Sequence, residues 1–467
     1  MIKMKRLLFV VIFCVSFVAH ASASDEVTIE QLQLMGLPVV QIETVGAEEP
    51  TYEIADPPEG CWGGSIKNAT KVPGRVVVSD ADGILYDSGD YVAKQSGMTV
   101  KVRGNWSARR AKKPFKVKLQ KKGDMLGRGD DRFKDKDWVL LPYFDLNYMV
   151  GLKVSELMSM VWTPQYRFVN VVFNGDYRGL YMLMESVGRN TDCRLNVDKS
   201  GCIVELDAYW WNEDFYLESA FVEPMNYTFK YPDTEDLTEE QTTYIATVLH
   251  EAEQSTLDGT YEEKLDVESF ARWMLTHDIL GNIDGAGSNI YLTKYDNTPE
   301  TLLKMGCLWD YDVIMQSEGW DELHDRYYFG RLFNSENRAF AECYASLWDE
   351  VKTPLFENIT AYLEEYLSSD LRQQVDASIV LNNKRWGGKG DSPAQNSAAC
   401  IPAAQAYFQS RKPWLEEHVP GVLTTIAVGH AERISDNAGI YDMTGRRLTV
   451  PPTKGFYIKD GHKFIVR

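Results

Sequence analysis

The sequence predicts an α+β protein in which a β-rich N-terminal region precedes a mainly helical one, with a small β module at the C-terminus. Three observations carry this. Residues 61–235 hold short apolar runs and alternations bounded by turn residues. Residues 236–420 place their apolar side chains at helical spacing. From Val419 onward the texture returns to short strands and turns.

The elements follow in chain order. Lys3, Lys5 and Arg6 precede an apolar run from Leu7 to Val18, and Ala21-Ser22-Ala23 offers small residues for cleavage. This predicts a secretory signal peptide over 1–23 and an exported protein that is periplasmic, on the outer surface or secreted. No later segment is apolar and long enough to span a bilayer, so no transmembrane segment is expected. Residues 24–60 form an N-terminal lead-in, with a strand expected from Leu37 to Glu43. In 61–235, strands are expected at Val76–Val78, Met98–Val102 and Phe115–Leu119, and a helix from Gly151 to Val161. Phe168–Phe173 and Leu180–Met184 read as a hairpin turned by Asn174-Gly175-Asp176.

In 236–420, Thr238 and Gln241 have capping-box spacing and open a helix. Further helices are expected over 267–280 and 340–367, and a loop over 384–398, which is rich in Gly, Asn, Ser and Lys. Residues 421–467 make the β tail, with hairpin turns at Asp442-Met-Thr-Gly445 and Lys459-Asp-Gly461.

A hydrophobic fraction of 44% is that of a globular chain able to bury a large core. The net charge of −19 repels polyanions and excludes nucleic acid as a general partner. Six cysteines remain after the expected cleavage. Cys193 and Cys202 are the one close pair, either bridged across a turn or present as thiols. With no CxxC, no HExxH and scattered histidines, a zinc site is not indicated.

Three features carry chemistry. Between Lys101 and Lys136 lie fourteen Lys and Arg against four Asp, a basic island in an acidic protein. Within it Arg103-Gly104-Asn105 ends one strand and Lys112-Lys-Pro-Phe-Lys-Val-Lys-Leu119 begins the next. A glycine turn before a lysine-bearing strand can hold a polyphosphate through backbone N–H and ammonium groups; alternatively it is a solvated charged hairpin. Second, Asp284 and Asn289 lie five apart in a glycine-rich loop after a helix. That is the spacing at which an Asp can orient an acceptor hydroxyl and an Asn can hold a cation, and equally that of loop-capping residues. Third, Asp310 and Asp312 follow an apolar stretch and make a hard-cation ligand set or a strand edge.

These pieces resemble the CotH kinase family. The resemblance is carried by Leu37-Pro-Val-Val-Gln-Ile, Val102-Arg-Gly-Asn105, Lys112 to Leu119, Asp137-Trp-Val-Leu-Leu, Asn174 to Glu185, Asn282-Ile-Asp284, Asn289 and Trp309-Asp-Tyr-Asp312. It implies an atypical protein-kinase-like, two-lobed fold and phosphoryl transfer from ATP, with Mg2+ or Mn2+, to Ser or Thr of a protein acceptor outside the cytoplasm. Asp284 would be catalytic, and Asn289, Asp310 and Asp312 would hold metal. Lys113 or Lys116 would contact phosphates, with Arg103 and Asn105 shaping that loop. Glu156 would pair with the lysine, and Glu185 would lie near the nucleotide. Gly285-Ala286 and Met315-Gln316 depart from the family pattern. They leave open a catalytically inactive relative acting in binding or structure at the surface, or one using its twelve Trp and twenty-five Tyr for glycan association.

Overall fold

The computed structural model describes residues 27–221, 225–285, 287–316 and 323–424, together with four tail strands, Ile440–Tyr441, Arg447–Leu448, Gly455–Lys459 and His462–Val466. The expected signal peptide lies outside the described residues.

A closed β-barrel forms the N-terminal part. Its strands are β1 (Val39–Thr44), β4 (Val72–Asp80), β6 (Met98–Val102), β7 (Phe115–Gly123), β8 (Asp135–Pro142), β9 (Tyr166–Phe173) and β10 (Asp176–Glu185). They run in the order β1-β9-β10-β8-β7-β6-β4, and β4 returns to pair with β1. Every ladder is antiparallel except β1–β9. The short strands β2 (Glu53–Ile54) and β3 (Ile66–Lys67) pair with each other, and β5 (Gly83–Asp87) hangs on β4. Seven strands enclose a space that side chains alone can fill. Val40, Ile42, Val76, Val78, Val100, Val117, Trp138 and Val171 fill it.

Alternation along each strand dictates the rest. On β8 and β10, Val139, Leu141, Met182 and Met184 point out of the barrel, into a second core shared with the helices. On β6 and β7 the outward positions include Lys101 and Lys116, which lie directly opposite each other. The hairpin between β9 and β10 turns at Asn174 and Gly175. Both have positive φ (48° and 78°), as a two-residue turn matched to strand twist requires.

A second sheet, ordered β12-β11-β13-β14, joins β11 (Cys202–Asp207) and β12 (Asn226–Tyr231) to β13 (Ile290–Lys294) and β14 (Lys304–Met305). It takes strands from both sides of residue 235.

The helices of six or more residues, among the described residues, are α1 (Ile29–Leu34), α2 (Asn147–Leu157), α3 (Glu239–Asp258), α4 (Val267–Leu280), α5 (Tyr327–Phe333), α6 (Ala339–Ser368), α7 (Asp370–Trp386) and α8 (Ser397–His418). Thr238 and Gln241 make the expected capping box on α3. α4 is buried nearly all round, with Phe270, Trp273, Met274 and Leu275 in the core. α2 begins four residues earlier than expected and ends at Leu157, before Ser159 takes a positive φ of 52°.

α7 crosses back onto the barrel. Asn170 donates to Ser378 (3.0 Å), the Trp386 indole donates to the Arg178 carbonyl (2.7 Å), and Arg385 pairs with Asp176 (2.8 Å). Beneath it lies Lys112, fully buried. Its ammonium donates to the carbonyls of Tyr143 (3.2 Å) and Leu180 (2.5 Å) and to Oδ1 of Asn382 (2.7 Å). Cys193 and Cys202 are free thiols, so the bridge weighed from their spacing is absent. The tail strands form one antiparallel four-stranded sheet, with paired strands flanking both expected hairpin turns. Among the described residues no helix is long and apolar enough to cross a membrane.

Candidate active site

The site is assembled from two turns that meet at the C-terminal end of α4. Gly281 ends the helix in the left-handed conformation that favours glycine. The chain then turns through Asn282 to Asp284. From the other side, Met315 and Gln316 donate their N–H groups to the carbonyls of Leu280 (2.6 Å) and Gly281 (3.1 Å). The buried Asn282 ties the turns together: its amide donates to the Asp310 carbonyl (3.1 Å), and its Oδ1 accepts from the Asp284 N–H (3.2 Å).

Asp310 and Asp312 flank the buried Tyr311, which packs against Gly151 of α2 and bonds to Ser155 (2.9 Å). With that ring buried under α2, the flanking carboxylates face the turn of Asp284. Tyr148 donates to Oδ1 of Asp310 (2.7 Å), and the Asn147 amide donates to the Asp312 carbonyl (3.1 Å). Asp310 has a φ of 65°, a conformation that Asp tolerates better than most residues and that concentrates at functional turns. The strand expected to lead into it stops at Met305, so the acids stand on irregular chain, where their orientation is not bound to strand alternation.

The three carboxylates sense one another. Burial, with Asp310 adding to it, raises the pKa of Asp284, and Arg326 opposes the shift. Burial, then Asp310 and Asp284, pushes Asp312 up to about 7 against the pull of Arg110. Displaced carboxylates in a cleft are a mark of functional sites.

Asn289 stands at the other end of the loop, with a φ of 63°. Its N–H donates to Oε1 of Glu205 (3.2 Å), while its carboxamide has no hydrogen-bond partner among the described residues. Glu205 is pushed up to about 7 by burial, although Lys230 pairs with it at 2.8 Å. Asp207 accepts from the Tyr209 N–H (2.8 Å) and the Ser288 hydroxyl (3.3 Å), anchoring the same loop. Under the loop is His277, buried, with both ring nitrogens unpartnered among the described residues. A Cβ at Gly285 would collide with that ring, which is a steric reason for glycine there.

The other expected residues divide. Arg103, at the end of β6, lies 5.9 Å from the centre of the Trp309 indole, next to Asp310. Lys116 reaches Asp137 of β8 at 3.0 Å. Lys113 turns elsewhere, to the Tyr52 hydroxyl (2.6 Å) and the Ala108 carbonyl (3.0 Å). Asn105 accepts from Ser65 (2.7 Å). Glu156 does not meet a lysine of β7. It is exposed and pairs with Lys153 on its own helix (3.1 Å), because the face of α2 turned inward carries Met149, Leu152 and Ser155. Glu185 is buried with Arg128 (2.8 Å) and the Gln165 N–H (3.0 Å). Residues not singled out by sequence are Tyr148, Glu205, Asp207, Lys230 and Lys101. Of these only Lys101 carried a signal, its place in the basic island.

Barrel and site together define an α+β protein in which a basic outer barrel wall meets a cluster of carboxylates on two joined turns. The chain belongs to the CotH kinase protein family, whose pattern matches residues 100–411. That stretch holds all three carboxylates, the basic island and Asn289. No curated protein matches the chain.

Among the described residues no three or more His, Cys, Asp and Glu side chains are gathered as a ready metal cage. The donor set nonetheless suits Mg2+ or Mn2+. A small hard cation takes one or two carboxylates and completes its shell with water and substrate phosphates. Asp310, Asp312 and the Asn289 carboxamide would supply oxygen donors of that kind.

Proposed function

We propose that this chain is an atypical kinase with a two-lobed, kinase-like arrangement, transferring the terminal phosphoryl group of ATP to a Ser or Thr hydroxyl of a protein acceptor outside the cytoplasm. The observation that carries the reading is the pairing of Asp284 with Asp310 and Asp312 across two hydrogen-bonded turns, beside cations on the barrel wall.

Asp284 accepts the hydroxyl proton as the acceptor oxygen attacks the γ-phosphorus. The bond from that phosphorus to the β,γ-bridging oxygen breaks, and ADP leaves. Its raised pKa suits a group that must take up a proton. Asp310, Asp312 and Asn289 would hold Mg2+ or Mn2+, which supplies charge neutralisation to the phosphates. Tyr148 orients Asp310 through its hydroxyl. Arg103 brings a positive charge to the same edge.

The competing reading is an inactive relative that binds nucleotide or a surface partner. It is favoured by the Gly285 turn, which presents no basic side chain of its own beside Asp284. Calorimetry with ATP and Mn2+, paired with radiolabelled transfer to a Ser-rich peptide, separates the two. Binding with transfer is expected. Binding without transfer to any acceptor supports the inactive relative, and no binding overturns both nucleotide readings.

A further inference from the structure

The outward face of the barrel at β6 and β7 bears a row of cations. Val100 and Val102 are buried in the barrel core, so Lys101 between them points outward, and Arg103 follows on the same face. Phe115 and Val117 place Lys116 in the same way, directly across the ladder from Lys101. Lys116 is neutralised by Asp137 at 3.0 Å. Lys101 has no carboxylate within ion-pair distance among the described residues, although it is half-buried. Its neighbours are Lys116, Lys71 and Arg103; burial, then Lys116 and Lys71, lowers its pKa, and Glu213 opposes the shift. The row ends at Arg103, whose guanidinium meets Trp309 beside Asp310.

A half-buried ammonium among cations is unfavourable by itself, because desolvation and like charge both act against it. An arriving anion removes the penalty. We propose that Lys101, more than Lys113 or Lys116, is the principal lysine receiving the polyphosphate at this site, a chain of phosphates lying along the barrel wall from Lys101 past Arg103 toward Asp310. This rests on the nucleotide reading for the identity of the anion, but the anion site can be tested without it.

Inorganic tripolyphosphate, in EDTA, is the probe for the site, and ATP with Mn2+ is the probe for the function. Lys101→Met should weaken tripolyphosphate binding at least about tenfold, the size of one lost charge-assisted contact, and Lys116→Met should weaken it less. Lys101→Arg should keep the affinity within about threefold, because it keeps the charge. In the absence of anion, Lys101→Met should melt at or above the wild-type temperature, since it removes an uncompensated cation. Lys101-dependent tripolyphosphate binding without any ATP binding would keep the inference and sink the nucleotide reading. Unchanged tripolyphosphate affinity in Lys101→Met, a larger loss in Lys116→Met, or no tripolyphosphate binding by the wild type would overturn the inference. ATP–Mn2+ binding by the wild type would then leave the proposed function standing.

Discussion

The guanidinium of Arg103 lies 5.9 Å from the centre of the Trp309 indole, so the end of barrel strand β6 touches the residue that precedes Asp310. Basic wall and carboxylate turn are thereby in direct contact. A cation over an indole contributes about 0.5–1 kcal/mol at a partly exposed site. Arg103→Ala should therefore lower stability only slightly, while weakening ATP–Mn2+ binding by at least about tenfold through the lost phosphate contact. Calorimetry and a melting curve on the same variant check both. A large stability loss with unchanged affinity would make Arg103 structural.

The acids should fail differently. Asp310→Asn removes a charge from the cation ligands and should weaken metal–ATP binding together with turnover. Asp284→Asn should bind metal–ATP nearly normally and lose phosphoryl transfer, because its role begins only as the hydroxyl attacks. Binding lost in Asp284→Asn but retained in Asp310→Asn would reverse the two assignments.

His277 makes a prediction in acid. Burial lowers its pKa to about 3, against an ordinary value of 6.5. The unfolded chain thus takes up a proton below about pH 6.5 that the folded chain refuses. The histidine makes no difference above that pH, and stability is lost as pH falls from about 6.5 toward 3. The slope contributed is about 1.4 kcal/mol per pH unit. His277→Leu should therefore show a shallower fall in unfolding free energy between pH 6.5 and 5, measured by urea titration. Parallel curves for wild type and variant would refute it.

Lys112 tests the join between barrel and helices. Its three protons match three oxygens, the geometry of a charged ammonium, even though burial drives its pKa well down. Lys112→Met would strand the Tyr143 carbonyl, a buried orphan costing about 1–3 kcal/mol, while the Leu180 carbonyl keeps the Tyr143 N–H (3.1 Å) and Asn382 Oδ1 keeps the Leu180 N–H (3.2 Å). A loss of about 1–3 kcal/mol in urea denaturation is expected. A loss under about 1 kcal/mol would show that water replaces the ammonium.

Where local chemistry decides the outcome, the sequence was readable. Met98–Val102 and residues 267–280 match β6 and α4 end to end, because alternation and helical spacing are properties of a single segment. The Asn174-Gly175 turn and the Thr238 cap follow from backbone requirements of two to four residues. Closure of the barrel was not readable, since nothing in the apolar pattern of β1 or β4 names the other as partner. Spacing and resemblance singled out Asp284, Asp310 and Asp312, and the structure brings these three carboxylates near one another. Glu156 was misplaced because a helical pattern fixes a helix more firmly than the direction of one polar side chain. Charge density along a chain singled out Lys113 and Lys116 but does not reveal which lysines already have partners: Lys113 is held by Tyr52 and Ala108, and Lys116 by Asp137.

The contacts of α7 with the barrel have a mechanical consequence. The helix comes from the C-terminal half of the chain, yet it is riveted to β9 and β10 through Asn382, Trp386, Arg385 and Ser378. A rivet on this flank stops the barrel from swinging freely away from the helices. The barrel wall that bears Lys101 and the turn that bears Asp310 should then keep a fixed separation. Under the proposed function, loading and unloading would fall to the side chains and turns around Asp284, so stiffening α7 further should leave product escape unhindered, whereas bracing the turn at Asp284 should slow it.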